Sequence, residues 1–310
     1  MAATPSITLN TGTKIPAIGL GAAPSVFTPE GVVQSEKWFL TAFKAGYRHF
    51  DTASFYRTEP QVGAALRASG IPREEVFVTT KLPPHHTKHV ARSFDESLRN
   101  FGFNYVDLYL MHLPMTLEYP TGYNAPADLQ EMFTAFKVVE TPTFNQTWAE
   151  LESLHSSGRA RAIGVSNFSI KTLEQLFKSA KIVPAVNQVE MHPYLAQTEL
   201  LEYCRKKGIL VTAYSPTGKE PVRSDPTIVA LAEKYKVTPT QIILAWHLAR
   251  GVVAIPQSSN EGRQKENITL PTLSAEDVAS VTALDRNERI VSKLGPDGKL
   301  FGWTAEQYGW

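Results

Sequence analysis

WFLTAFKAGYRHFD, residues 38–51, decides the fold. Trp38, Phe39, Ala42 and Phe43 recur at the i, i+3, i+4 spacing of a helix face, Gly46 sits where that helix would stop, and the short run His49 to Asp51 reads as a strand that ends abruptly on a carboxylate. Outward from this stretch the same unit of helix, glycine and strand repeats. Strand-like runs occur at Ala17 to Gly21, Val76 to Lys81, Asp107 to His112 and Ile163 to Ser166, then at Val186 to Glu190, Leu210 to Tyr214 and Val253 to Pro256. Helical spacing lies between them, as in Leu173, Leu176 and Phe177, and Gly70, Gly102, Gly158, Gly208 and Gly251 mark further helix ends. Eight strands alternating with helices predict a closed, parallel (β/α)8 TIM barrel, one domain over residues 1–310.

Three segments exceed the minimal unit. Pro5 to Ile15 carries two short runs around Asn10, Thr11 and Gly12, which predicts a hairpin closing the bottom of the barrel. Residues 113–141, after the fourth strand, show no clear period and carry Tyr119, Tyr123, Phe133 and Phe136; a loop of that length in a compact domain reads as a lid. The stretch after Leu284, ending FGWTAEQYGW, is too aromatic for a disordered tail and is expected to pack as a loop over the barrel mouth.

Composition narrows the function. The 310 residues are 43% hydrophobic and 20% charged, enough apolar material for a packed, soluble domain. Lys and Arg number 31 against 30 Asp and Glu, and no stretch concentrates one sign, so neither nucleic acid nor an anionic membrane is an expected partner. No apolar run reaches the length of a membrane span. A lone cysteine, Cys204, and an N-terminal MAATPSITLN without a basic and then apolar signal pattern fit a reducing, cytoplasmic compartment.

In TIM barrels chemistry gathers at the C-terminal ends of the strands. There the sequence places Asp51, with Tyr56 five residues on, then Lys81, then His112; farther along come Ser166 and Asn167, Gln188 and Glu190, Tyr214 and Ser215, and Gln257 and Ser258. Tyrosine is a weak acid near neutrality, but an adjacent ammonium stabilises its phenolate. Lys81, held by Asp51, would act so on Tyr56, while His112 orients a carbonyl oxygen for protonation. No side chain supplies hydride, so this device requires a nicotinamide cofactor. Taken singly, each residue has a structural alternative: an Asp or Lys in a surface ion pair, a His hydrogen-bonded in the core. Four compatible groups at three consecutive strand ends favour the catalytic reading.

The motifs GYRHFDTASFY (46–56), VTTKL (78–82), DLYLMH (107–112), GVSNF (164–168), NQVEMHPY (187–194) and VTAYSP (211–216) together resemble the aldo-keto reductases, in order and spacing across nearly the whole chain. The resemblance, of a fungal aldehyde, glycerol or sugar reductase type, implies a (β/α)8 barrel that reduces aldehydes or ketones with NADPH. Tyr56 is then the proton donor, Lys81 and Asp51 tune it, and His112 places the substrate. Carried across residue by residue, the family pattern sets Ser166, Asn167 and Gln188 on the nicotinamide carboxamide and Tyr214 against its ring. It sets the Ser215, Pro216 and Gly218 turn along the pyrophosphate. In IPQSSNEGRQKEN (255–267), Ser258 and Arg263 fall at the adenosine 2′-phosphate and Glu266 and Asn267 at the adenine, with Asn260 a further cofactor-binding candidate. The chain also lacks a G-x-G-x-x-G after any strand, as expected of a family that binds its cofactor without a Rossmann fold.

Departures from that pattern carry expectations of their own. Gln257 stands where the family has lysine, so NADPH should remain preferred through Arg263 but less steeply, with some use of NADH. Ala23, Pro83 and Leu113 stand where many relatives carry tryptophan, which predicts a wider and less aromatic pocket. Arg57 is a candidate for facing a polar or anionic substrate, against the alternative of a structural charge. Trp303, Tyr308 and Trp310 either close the pocket or pack on the rim. His85, His86 and His89 lack the partners and spacing of a zinc site, so no metal is expected. Asn145-Gln-Thr and Asn167-Phe-Ser are chance glycosylation matches in a chain without a signal peptide, and Cys204 is expected to be a buried small hydrophobe. The expected partner is a small carbonyl compound, with the chain a monomer or homodimer. Two other functions stay open: a catalytically weak, NADPH-binding redox sensor or structural protein on the same fold, and a hydrolase using Asp51 and Glu190.

Overall fold

The computed structural model describes residues 5–310. Eight parallel strands run in sequential order around one sheet: Leu20–Gly21, His49–Asp51, Phe77–Leu82, Leu108–Met111, Ile163–Ser166, Val186–Glu190, Leu210–Tyr214 and Val253–Ala254. The sheet closes on itself. Ala254 N–H donates to the Ala17 carbonyl and Gly19 N–H to the Ala254 carbonyl, both at 2.9 Å, and Gly21 N–H reaches the Pro256 carbonyl at 3.1 Å. Gly21 makes this seam possible, because a Cβ there would stand 2.8 Å from the Ile255 carbonyl oxygen. The first and last strands are shorter than the sequence pattern predicts, since the outer residues join by single bonds and an isolated Ile18–Ala254 bridge rather than a full ladder.

Helices alternate with the strands and cover the outside. Pro29–Ala45 starts on Thr28, whose side chain accepts from the Gly31 N–H, and ends at Gly46 in the left-handed region at φ 112°. Its Phe39 and Phe43 pack on Phe50 of the second strand. Val90–Phe101, Phe144–Ser156 and their neighbours turn Phe94, Trp148 and Leu151 onto the same layer between sheet and helices.

Inside the barrel, the two-residue period of each strand sorts the chemistry by height. Phe77, Leu108, Leu110, Val186 and Val253 fill the lower interior together with Leu9 and Ile15 of the N-terminal hairpin, Ser6–Thr8 against Lys14–Pro16. The hairpin therefore plugs the bottom, and the buried polar residues Asp51, Lys81, Ser166 and Gln188 crowd the top.

The segment 113–141 is more ordered than its lack of period predicts. Thr116–Glu118 pairs antiparallel with Lys137–Val139, and a short helix, Leu129–Thr134, lies between them. Its ties to the barrel are tertiary, which a single-sequence period does not display. The three neighbouring histidines brace it: His86 stacks on Tyr123 at 3.9 Å between centroids, and His85 and His89 meet Tyr119 and Tyr123 edge-on. Burial, and then the neighbouring imidazole, hold His85 at about 3, so it packs as a neutral ring. Among the described residues no group of His, Cys, Asp and Glu side chains is placed to hold a metal, and no helix is long and apolar enough to cross a membrane.

Candidate active site

Strand pairing explains how the first two groups meet. Asp51 lies opposite Thr79 in register, and Lys81, two residues on, projects into the same interior. Its ammonium is fully buried, 2.5 Å from Asp51 Oδ1 and 2.8 Å from the Thr52 carbonyl. Tyr56 packs beside it, with its ring centroid 5.1 Å from the ammonium. Burial opposes that charge, but Asp51 and Tyr56 outweigh it and raise the Lys81 pKa. Tyr56 sits on a single helical turn, Ser54–Tyr56, and the chain reverses just beyond it at Arg57 with φ 59°. Thr58 fixes that turn by donating to the Ala22 carbonyl at 2.8 Å. Burial pushes the Tyr56 phenol pKa up while Lys81 pulls it down, and the net is upward. His112 faces Tyr56 edge-on with centroids 5.7 Å apart; burial, then the Lys81 charge, holds it neutral, well below the ordinary imidazole value.

These groups open onto one cavity of about 870 Å³ that runs from Tyr56 and His112 to Glu266 and Asn267. Lys81 lies behind its floor. Ser166, Asn167, Gln188 and Tyr214 form the adjoining wall. Asn167, in the left-handed region at φ 65°, donates to the His112 carbonyl at 2.9 Å and accepts from the Tyr214 hydroxyl at 2.8 Å. Gln188 Nε2 donates to Asp51 Oδ2 at 2.6 Å, a contact that links this wall to the ion pair. Farther out, Ser215 and Pro216 line the cavity, as do Thr217 and Lys219, whereas Gly218 does not. Gln257, Ser258, Asn260 and Arg263 follow, with Gln257 Nε2 donating to Ser25 Oγ and Asn260 capping the helix Glu261–Asn267.

The family model for the aldo/keto reductase family matches residues 18–286. The chain belongs to the aldo/keto reductase family. This aldo/keto reductase is 43% identical over 293 residues to the glycerol 2-dehydrogenase (NADP(+)) of Saccharomyces cerevisiae, covering 91% of each chain. It is 39% identical over 316 residues to human aldo-keto reductase family 1 member A1, covering 94% of this chain and 93% of the relative. A crystal structure of a Bombyx mori aldo-keto reductase in complex with NADP superposes with a TM-score of 0.83 at 34% identity, covering 94% of this chain and 96% of that one.

Three sequence-derived substrate positions, Arg57, Pro83 and Trp303, fall outside the cavity of this aldo/keto reductase. Arg57 turns away, and its guanidinium donates to the carbonyls of Pro126 (2.8 Å) and Ala127 (3.4 Å), tying down the segment before the lid helix. Trp303 packs edge-on against Tyr308 and onto the core; Tyr308 and Trp310 line the wall instead. Ala23 and Leu113 do line the cavity, and Pro84 does so in place of Pro83. The cavity is walled by aromatic side chains despite the residues at positions 23, 83 and 113. Phe27, Phe55, Phe133, Phe301 and Trp310 supply aromatic walls from other loops. Phe133 bridges Phe55 and Phe301 at 5.9 and 6.0 Å, so the lid spans the cavity between the turn that carries Tyr56 and the C-terminal loop. Sequence reasoning also missed Lys219 and Arg223, two further cations on the outer wall. Only the placement of SPTGKEPVR (215–223) directly after Tyr214 hinted at them.

Proposed function

We propose that this chain is an NADPH-dependent reductase of aldehydes and ketones, one domain acting on small carbonyl compounds in a reducing, cytoplasmic compartment. The observation that carries the reading is the buried Lys81 ammonium shared between Asp51 and the Tyr56 phenol at the floor of an open cavity. The cofactor fits the donor set. Asn167, Ser166 and Gln188 offer the amide and hydroxyl groups that a carboxamide needs, and Arg263, Lys219 and Arg223 offer positive charge at the far end for phosphates. Residues along this groove would hold NADPH, which when bound would supply the hydride for the carbonyl carbon.

The chain's own residues do the rest. Neutral His112 donates a hydrogen bond to the substrate oxygen and holds it toward Tyr56. As the carbonyl π pair moves onto oxygen, the Tyr56 proton passes to it, and Lys81 stabilises the phenolate left behind until solvent restores its proton. Asp51, with Gln188 on its second oxygen, keeps the lysine charged and in place.

The hydrolase alternative loses its base, because both oxygens of Glu190 are engaged by backbone N–H groups of Ile290, Val291 and Ser292. The sensor alternative has no use for a buried Lys–Asp pair aimed at a phenol. Consumption of NADPH, and separately NADH, against glyceraldehyde, an aromatic aldehyde, an aldopentose, a uronate and a diketone tests the reading. Turnover with NADPH favoured is expected, and tight NADPH binding without turnover of any of the five would shift the assignment to the sensor.

A further inference from the structure

Glu190 ends the sixth barrel strand directly opposite Tyr214 in register, and the proposed reaction gives it no task. Its carboxylate is completely buried. Oε1 accepts the N–H groups of Ile290 and Val291 at 2.6 and 2.9 Å, Oε2 accepts that of Ser292 at 2.8 Å, and His192 Nε2 lies 3.1 Å from Oε1. Three consecutive backbone donors converging on one anion make a concave seat, and charge strengthens each bond. A loop could be held by neutral groups without the cost of burying a carboxylate, so the choice of an anion at this point asks for a reason.

The residues that Glu190 seats touch both halves of the site. Tyr214 spends its single proton on Asn167 Oδ1 at 2.8 Å, so Ser292 Oγ, 2.5 Å from the Tyr214 hydroxyl, is the donor in that pair. Ser292 thereby fixes the angle of the ring proposed to stack on the nicotinamide. One residue before the seated segment, the Arg289 guanidinium lies 3.4 Å over the ring of Trp310, which stacks on Tyr308 at 4.2 Å in the substrate wall. A shift of residues 290–292 would move the cofactor face and the substrate wall together.

We propose that Glu190 is a positioning residue for the reduction: by seating residues 290–292 it sets Tyr214, through Ser292, and Trp310, through Arg289, in one register. The proposal rests on the reductase reading of the site. Glu190→Gln keeps the side chain's size but presents an NH2 group to one or more of the three amides. It is expected to raise the NADPH Kd and the benzaldehyde KM about tenfold each, while kcat changes less than about threefold. Ser292→Ala leaves the seat intact and removes only the bond to Tyr214. Its NADPH Kd, read by fluorescence titration, is expected to rise about threefold, with Ser292→Thr restoring it.

Wild-type NADPH binding and turnover, with a lower Tm in Glu190→Gln but unmoved Kd and KM, would make the contact a structural tie and overturn the proposal. Equal Kd values for wild type, Ser292→Ala and Ser292→Thr would overturn the Tyr214 link even if Glu190→Gln does not fold. A wild-type protein that neither binds NADPH nor reduces benzaldehyde would instead sink the reductase reading, and this proposal with it.

Discussion

A buried lysine is costly unless its charge is paired, and Lys81 has Asp51 and the Thr52 carbonyl as acceptors, with the Tyr56 ring beside it. That arrangement makes the proposed proton donor and the ion pair behind it separable by mutation. Tyr56→Phe removes only the proposed proton donor, so kcat should fall by about 10²- to 10⁴-fold while the NADPH Kd stays within about twofold; a variant keeping more than about a tenth of wild-type kcat refutes the role. Glu190 gives a second residue-scale test, through pH. Burial alone would raise its pKa, but His192 and the three backbone N–H groups hold it at about 2 in the folded chain against 4.5 as the ordinary value. A depressed carboxylate contributes stability that is present above pH 4.5 and is lost as pH falls toward 2, here about 3 kcal/mol. Glu190→Gln should therefore be the less stable protein at neutral pH and show a shallower loss of stability across that window, measured by urea unfolding. The types and strand-end positions of the residues around Tyr56 are legible in sequence because a period of two and an abrupt strand end suffice to set them on one rim. The Gln188 to Asp51 bond and the seat around Glu190 are not, since each joins groups about a hundred or more residues apart.

At the scale of elements, the lid shows what patterning misses. A ribbon and a helix of only six residues are too short to build a period, and their order comes from Arg57, His86 and Tyr123. Arg57 is the instructive case: as a charge beside Tyr56 it invites a role toward substrate, yet its guanidinium turns away and donates to the Pro126 and Ala127 carbonyls. Arg57→Ala should speed proteolytic cutting in residues 119–134 and weaken selection among aromatic aldehydes, while Tm shifts by less than about 4 °C. An unchanged cutting rate would show that the histidine and tyrosine stacking holds the lid without it. The pocket's aromatic walls escaped sequence reading for the same reason. The residues at positions 23, 83 and 113 are visible in the chain, but Phe133 and Phe301 reach the cavity from loops whose folding back over the mouth no local signal encodes.

For the whole molecule, the alternating units made the barrel readable, and the hairpin was readable from its turn. Why the hairpin belongs to the barrel is a matter of packing: Ile15 is fully buried among Phe77, Leu108 and Val253, closing an interior that would otherwise be open to water. Ile15→Ala should cost about 2–4 kcal/mol of stability with little change in KM, because the plug and the cavity occupy opposite ends. A loss in KM as large as the loss in stability would show that the ends are coupled. The seam bears on how the protein comes to exist. Residues 17–21 can bond residues 254–256 only after seven strands and their helices have been made, so the closing contact is among the most distant in sequence that the chain forms. A chain emerging from the ribosome holds the Asp51 and Lys81 strands early, yet it carries two bare parallel edges until the eighth strand arrives. Its exposure to misassembly is therefore concentrated late in synthesis, and a pause before Val253 would prolong it.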